Sequence, residues 1–220
     1  LFGVCKSSAN WNPPKIEDHL KEEIQKKVPD GERVLCALSG GVDSTTVGTL
    51  LTQALGSERV HCVFVDTGLL RKNEFEEVLS LYADLGLNVK GVDASKNFLD
   101  RLEGIEDPEK KRKIIGHTFI DVFKQAIQDE GHMEWLAQGT LYPDVIESVS
   151  PRGKSVTIKS HHNVGGLPEN LDLKLVEPLK ELFKDEVRQL GEQLGIPKSL
   201  LWRHPFPGPG LAIRILGLIT

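Results

Sequence analysis

No run of apolar residues in this chain approaches the length that crosses a bilayer, so nothing points to a membrane role. Positive charge is not in excess either. Against 32 Asp and Glu stand 27 Lys and Arg, a formal net charge of -5, with no basic block of the kind that displaces counterions from a nucleic-acid backbone. No nucleic-acid partner is therefore expected, whereas a small anionic ligand needs only a few local cations. Cysteine is scarce: Cys5, Cys36 and Cys62 are an odd set without C-x-x-C spacing, which signals neither a disulfide framework nor a zinc site and fits a reducing cytoplasm. The first residues carry no secretory signal. The sequence starts at Leu1 and runs out in Leu218-Ile219-Thr220 without a closing turn, as expected of a piece of a longer protein.

What is present is the composition of an ordinary globular chain, 39% hydrophobic and 27% charged over 220 residues, enough for one substantial core. Ile16 to Val28 has the spacing of an amphipathic helix. Arg33 to Leu38 is a short apolar run that meets a Gly-rich turn, and a helical stretch from Thr45 to Leu55 follows, stopped by Gly56. The pattern recurs with a strand at His61 to Val65, a helix from about Asn73 to Leu85 and a strand at Asn88 to Val92. Next come a long helix between Pro108 and Gln128, strands at Trp135 to Gln138 and Lys174 to Glu177, a shorter extended piece at Val156 to Ile158, and a helix from Phe183 to Leu194. Strands alternating with helices imply an α/β fold with an open, mainly parallel, twisted sheet and helices on both faces. Asp93 to Asp107 reads as a long loop and a mobile lid, and His204-Pro205-Phe206-Pro207-Gly208-Pro209-Gly210 as a rigid connector out of the domain.

The chemistry concentrates at Ser39-Gly40-Gly41-Val42-Asp43-Ser44, where an apolar strand meets a helix. In a parallel sheet this is the carboxyl edge, where ligands bind. Two adjacent glycines let the backbone turn with its amides inward, and the helix N-terminus adds partial positive charge, so the loop suits phosphate oxygens. Ser39 and Ser44 add hydroxyls. The Lys of G-x-x-x-x-G-K-[ST] is missing, which excludes the usual P-loop, and so is the G-x-G-x-x-G order of dinucleotide folds. Asp43 beside phosphates needs an intervening cation, which points to Mg²⁺; the alternative is that Asp43 or Ser44 caps the helix. Asp144 and Glu147, just after Gly139-Thr140, are candidates to complete the Mg²⁺ shell or to cap. His161-His162 face opposite ways in an extended chain without a third ligand, which favours ordering a loop or contacting substrate over holding a metal.

S-G-G-x-D-S after a strand resembles the pyrophosphate loop of the ATP-pyrophosphatase superfamily. Val65-Asp66-Thr67-Gly68-Leu69-Leu70-Arg71, Lys111-Arg112-Lys113-Ile114-Ile115-Gly116, Ala137 to Asp144, Ile158-Lys159-Ser160-His161-His162-Asn163 and the Pro-Gly tail, in this order, resemble the GMP synthetase family from about Trp11 to about Leu216. The resemblance implies an adenine nucleotide alpha-hydrolase-like fold and a ligase that adenylates xanthosine 5'-monophosphate with ATP and Mg²⁺, releases pyrophosphate and aminates the product with ammonia to GMP. It places Ser39 to Ser44, with Thr45, on the ATP phosphates, the Val65 backbone near adenine and Arg112 on the substrate nucleotide. Lys159 is then a candidate to reach ATP phosphates, or a surface lysine. Residues 1–12 would be a connector from a glutaminase domain, 13–203 the ATP-pyrophosphatase domain, and 204–220 the start of a dimerisation domain through which the parent forms a homodimer. Cys36 and Cys62, inside strands, read as core thiols. The other readings are a nucleotide-binding or docking module without turnover and a different ATP-pyrophosphatase, such as an NAD synthetase.

Overall fold

A computed structural model describes residues 13–128, 130–148, 173–204, 206 and 208–219. Five strands, β1 (Val34–Leu38), β2 (Val60–Asp66), β3 (Val89–Asp93), β4 (Trp135–Ala137) and β5 (Lys174–Val176), form one sheet in the order β3-β2-β1-β4-β5. Every pairing is parallel, with Val34 beside Val60 on one flank and beside Trp135 on the other. The strands are short apolar runs because both sheet faces are covered. Alternation within them decides which face each side chain serves. Val34, Cys36, Leu38, Val60, Cys62 and Phe64 enter one core, whereas Leu35, Val63, Val65 and Leu136 enter the other.

The first face is covered by α1 (Pro13–Lys27), α2 (Val42–Leu55), α3 (Glu74–Asp84), α7 (Lys184–Gln193) and the short α8 (Lys198–Leu201). The second is covered by α4 (Ser95–Leu102) and α5 (Pro108–Gln128). Helix α6 (Tyr142–Ser148) follows β4. Large side chains such as Leu50, Leu51 and Phe123 are fully buried between helix and sheet, each stabilising by roughly 1.5–3 kcal/mol. No helix among the described residues is long and apolar enough to cross a membrane.

Two expectations change. The segment read as a long loop contains α4, held on the second core by buried Phe98 and Leu102. Close by on α5, Lys111 is fully buried and donates to the carbonyls of Ile215 and Gly217 at 2.8 Å each. The tail expected to lead outward folds back instead. Leu211 N donates to Leu69 O at 2.9 Å, a 3-10 helix spans Gly210–Arg214, and Ile219 is buried beside Glu103. The extended piece expected at Val156 to Ile158 lies outside the described residues.

Candidate active site

At the carboxyl end of β1 the chain leaves the sheet through Ser39 and turns at Gly40, whose φ of +74° is one that a Cβ resists. Gly41, with extended backbone, is the N-cap of α2. The helix therefore starts at Val42, three residues before the expected Thr45, and neither Asp43 nor Ser44 caps it. No side chain takes the cap position. Thr45 N donates to Gly41 O at 3.1 Å, while the amides of Val42, Asp43 and Ser44 meet no acceptor among the described residues. These are the orphan donors of a helix start, and a phosphate fits them. The hydroxyls close around the turn: Ser39 N donates to Ser44 Oγ at 3.1 Å, and the two Ser oxygens lie 3.0 Å apart.

The loop rests on a specific floor. Thr45 Oγ1 donates to Gly41 O at 2.8 Å and lies 3.1 Å from the Tyr82 hydroxyl. Tyr82 is buried against Phe64, and burial pushes its phenol well above the ordinary range, so it stays neutral. Beneath α2 the Cys36 and Cys62 thiols are paired neighbours in the core. The hydrogen bond to Cys62, with burial, raises the Cys36 thiol above its usual range, and both free thiols are buried in the core.

Neighbouring strand ends supply the walls. At the end of β4, Gly139 approaches so closely that a Cβ would sit 3.3 Å from Asp43 Cβ. Thr140 Oγ1 donates to Glu177 Oε1 at 2.6 Å, tying the ends of β4 and β5. At the end of β2, Asp66 Oδ1 accepts from Gly68 N at 2.8 Å. At the end of β3, Asp93 accepts from the Ser95 hydroxyl and amide at 2.6 and 3.0 Å, and these two bonds hold its carboxyl below the usual range.

Two long-range ion pairs were not legible in the sequence. Lys184 Nζ donates to both oxygens of Asp43 at 2.6 Å. A lysine in the first turn of α7 runs against the helix dipole, and that misplaced charge was the local signal. The second centre is Glu74, nearly buried on α3. It accepts from Arg71 N at 2.8 Å and Arg203 Nη1 at 2.7 Å, and its Oε1 lies 3.9 Å from where a Cβ on Gly40 would be.

Of the expected site residues, Ser39 to Thr45 are brought together. Val65 lies within β2, one residue from its carboxyl end, with its side chain in the second core. Arg112 is on α5, across the sheet from α2, and pairs with Glu109. Asp43, Asp144 and Glu147 do not form one shell: among the described residues no group of three acidic, His or Cys side chains converges as a metal would require. Asp144 instead caps its own helix, accepting from Leu141 N at 3.1 Å, and Asp43 engages Lys184. Glu147 is exposed on α6. A Mg²⁺ ion that takes one carboxylate and completes its octahedron with phosphate oxygens and water still fits Asp43, which is partly exposed at the mouth of the loop. Lys159, His161 and His162 lie outside the described residues.

Residues 13–114 match the NAD synthase family. Across nearly the whole chain, the glutamine-hydrolyzing GMP synthase of Bdellovibrio bacteriovorus is 66% identical over 218 residues, 99% of this chain and 43% of that protein. The enzyme of the same name from Christiangramia forsetii is 60% identical over 100% of this chain and 43% of its own length. The chain thus spans less than half the length of these relatives. Among solved structures, the NMN synthetase of Francisella tularensis superposes with a TM-score of 0.64 at 15% identity, covering 91% of this chain and 78% of that one. The NH3-dependent NAD synthetase of Campylobacter jejuni gives 0.61 at 19%, covering 88% and 78%. At such identities the likeness speaks to the fold, which is that of the adenine nucleotide alpha-hydrolases.

Proposed function

We propose, from the premise that the chain belongs to the GMP synthase family, that it is the part of such an enzyme that activates xanthosine 5'-monophosphate with ATP. The purine C2 oxygen attacks the α-phosphorus of ATP, pyrophosphate leaves, and ammonia displaces AMP to give GMP. The observation that carries this is the set of Val42, Asp43 and Ser44 amides that meet no acceptor among the described residues at a lysine-free turn, a cradle for a leaving diphosphate rather than for a transferred γ-phosphate.

The chain's residues then divide the work. The Val42 to Ser44 amides and the Ser39 and Ser44 hydroxyls hold the β and γ phosphate oxygens, with Thr45 fixing the turn beneath them. When Mg²⁺ is bound, it neutralises the diphosphate and lowers the cost of its departure. Asp43 is the residue that would hold it, and Lys159 is a candidate to reach the ATP phosphates. Lys184, freed from Asp43 by a cation there, then faces the phosphates. Orientation is the main contribution, because phosphoryl-type displacement asks little covalent chemistry of side chains. The Val65 backbone contacts the adenine, and Arg112 turns from Glu109 to the substrate monophosphate, for which its fork is suited. Ammonia comes from a glutaminase, and a homodimer in the cytoplasm is the expected working form of the parent.

The test is release of AMP and pyrophosphate from ATP and Mg²⁺ in the presence of ammonium. Release that depends on xanthosine monophosphate supports the reading. Nucleotide binding without release under these conditions, or release that instead follows nicotinate adenine dinucleotide, overturns it.

A further inference from the structure

The lysine-free loop faces a charge problem, because a leaving pyrophosphate is strongly anionic and the lysine that reaches the loop, Lys184, is already matched. Lys184 and Asp43 cancel. On the other side of the turn, one carboxylate, Glu74, serves two guanidiniums, Arg71 and Arg203. Among these five described residues, Lys184, Arg71 and Arg203 against Asp43 and Glu74, one positive charge is left over. The two arginines are not equivalent. Arg71 is the more engaged: Nη1 donates to Glu74 at 3.3 Å, Nη2 donates to the His204 carbonyl at 3.0 Å, and its plane covers the Phe206 ring at 4.2 Å. Arg203 gives only Nη1 to Glu74, and its remaining guanidinium N–H groups meet no acceptor among the described residues.

Resting on the proposed function, we propose that Arg203 is a binding residue for the diphosphate of ATP, and that Glu74 is the positioning residue that aims it. Glu74 Oε1 lies 3.9 Å from the Cβ position of Gly40, so a guanidinium held on that oxygen stands at the rim of the amide cradle. A nearly buried carboxylate fixes the fork, and the free edge offers paired N–H groups that match phosphate oxygens. Arg203 thereby supplies from the far end of the chain the cation that a P-loop carries within its motif.

The test uses the protein at its full encoded length and measures binding of magnesium pyrophosphate, adenosine and xanthosine monophosphate by calorimetry, with thermal unfolding as a check on folding. Arg203→Gln is expected to weaken pyrophosphate by roughly 10- to 100-fold while adenosine, which has no phosphate, is unaffected. Arg203→Lys keeps the charge without the fork and should fall between that variant and the parent, which keeps the idea testable should Arg203→Gln unfold. Lys198→Gln removes an equal charge from an exposed position on α8 and should leave all three affinities unchanged. Unaltered pyrophosphate affinity in the Arg203 variants overturns the inference. So does an equal loss for adenosine, which assigns Arg203 to folding, and so does a loss confined to xanthosine monophosphate, which assigns it to the other substrate. Should the unsubstituted protein itself bind no pyrophosphate, the proposed function fails first and takes the inference with it.

Discussion

The two edges of the sheet use the same residue types to opposite ends. At the amino edge Arg33 donates from its backbone to Glu134 at 2.8 Å, from Nη1 to the Glu130 carbonyl at 2.9 Å and from Nη2 to His61 Nε2 at 2.6 Å. His61 Nδ1 lies 3.2 Å from Glu130, whose other oxygen pairs with Lys90 at 3.2 Å. Nearby, the Trp135 indole and Lys174 both donate to Glu32, and Arg59 donates to the Pro29 carbonyl at 2.6 Å. Each charge there is spent on a neighbour, and the result is a fastening. At the carboxyl edge the amides of Val42 to Ser44 and part of the Arg203 guanidinium are left open among the described residues. Unspent hydrogen-bonding capacity, rather than charge as such, separates a site from a seam.

The contrast is broken most sharply at Asp43. Asp43→Asn should lower pyrophosphate release by about 100-fold or more while the thermal midpoint barely moves; unchanged turnover would show that the edge is not catalytic. Arg33→Ala at the opposite edge should do the reverse, costing about 2–3 kcal/mol in denaturant unfolding and leaving nucleotide affinity intact. A fall in that affinity would mean that the two edges are coupled. Gly40→Ala forces a side chain into positive φ and should cost about 1–2 kcal/mol, with weaker pyrophosphate binding, read by unfolding and calorimetry together. The smallest effect is a pH dependence at the amino edge. The Trp135 indole first, then Lys174, hold the Glu32 carboxyl below its usual range. A carboxyl depressed in the folded state stabilises above its unfolded value and loses that contribution as pH falls through the folded one. Thermal midpoints should therefore drop slightly below the ordinary carboxylate range, and Glu32→Gln should flatten that part of the profile.

The alternation of strands and helices was legible because period and punctuation agreed: Gly56 ends α2 and Gly195 follows α7 where the sequence indicated. Helix α4 was not, because only Phe98 and Leu102 mark its buried side among Lys96, Asn97, Asp100 and Arg101, too few turns for a period to show. The loop itself was readable from six contiguous residues. Its supports were not, since Asp43 and Lys184 stand 141 residues apart and Glu74 and Arg203 129. Such pairs depend on which strand ends the topology makes neighbours, and no local pattern carries that. The partners of Lys111 were equally out of reach, since they are carbonyls of the returning tail more than a hundred residues on.

The central place of β1 also has a consequence for birth on the ribosome. Its partner on one flank, β2, emerges soon after it, but the partner on the other begins at Trp135. At about 5–20 residues per second, that flank stays unpaired for roughly 5–20 seconds of synthesis. Through that interval the nascent three-stranded half carries an apolar open border, the kind that invites pairing with another chain, and crowded translation of this message favours whatever shields that border until Trp135 arrives.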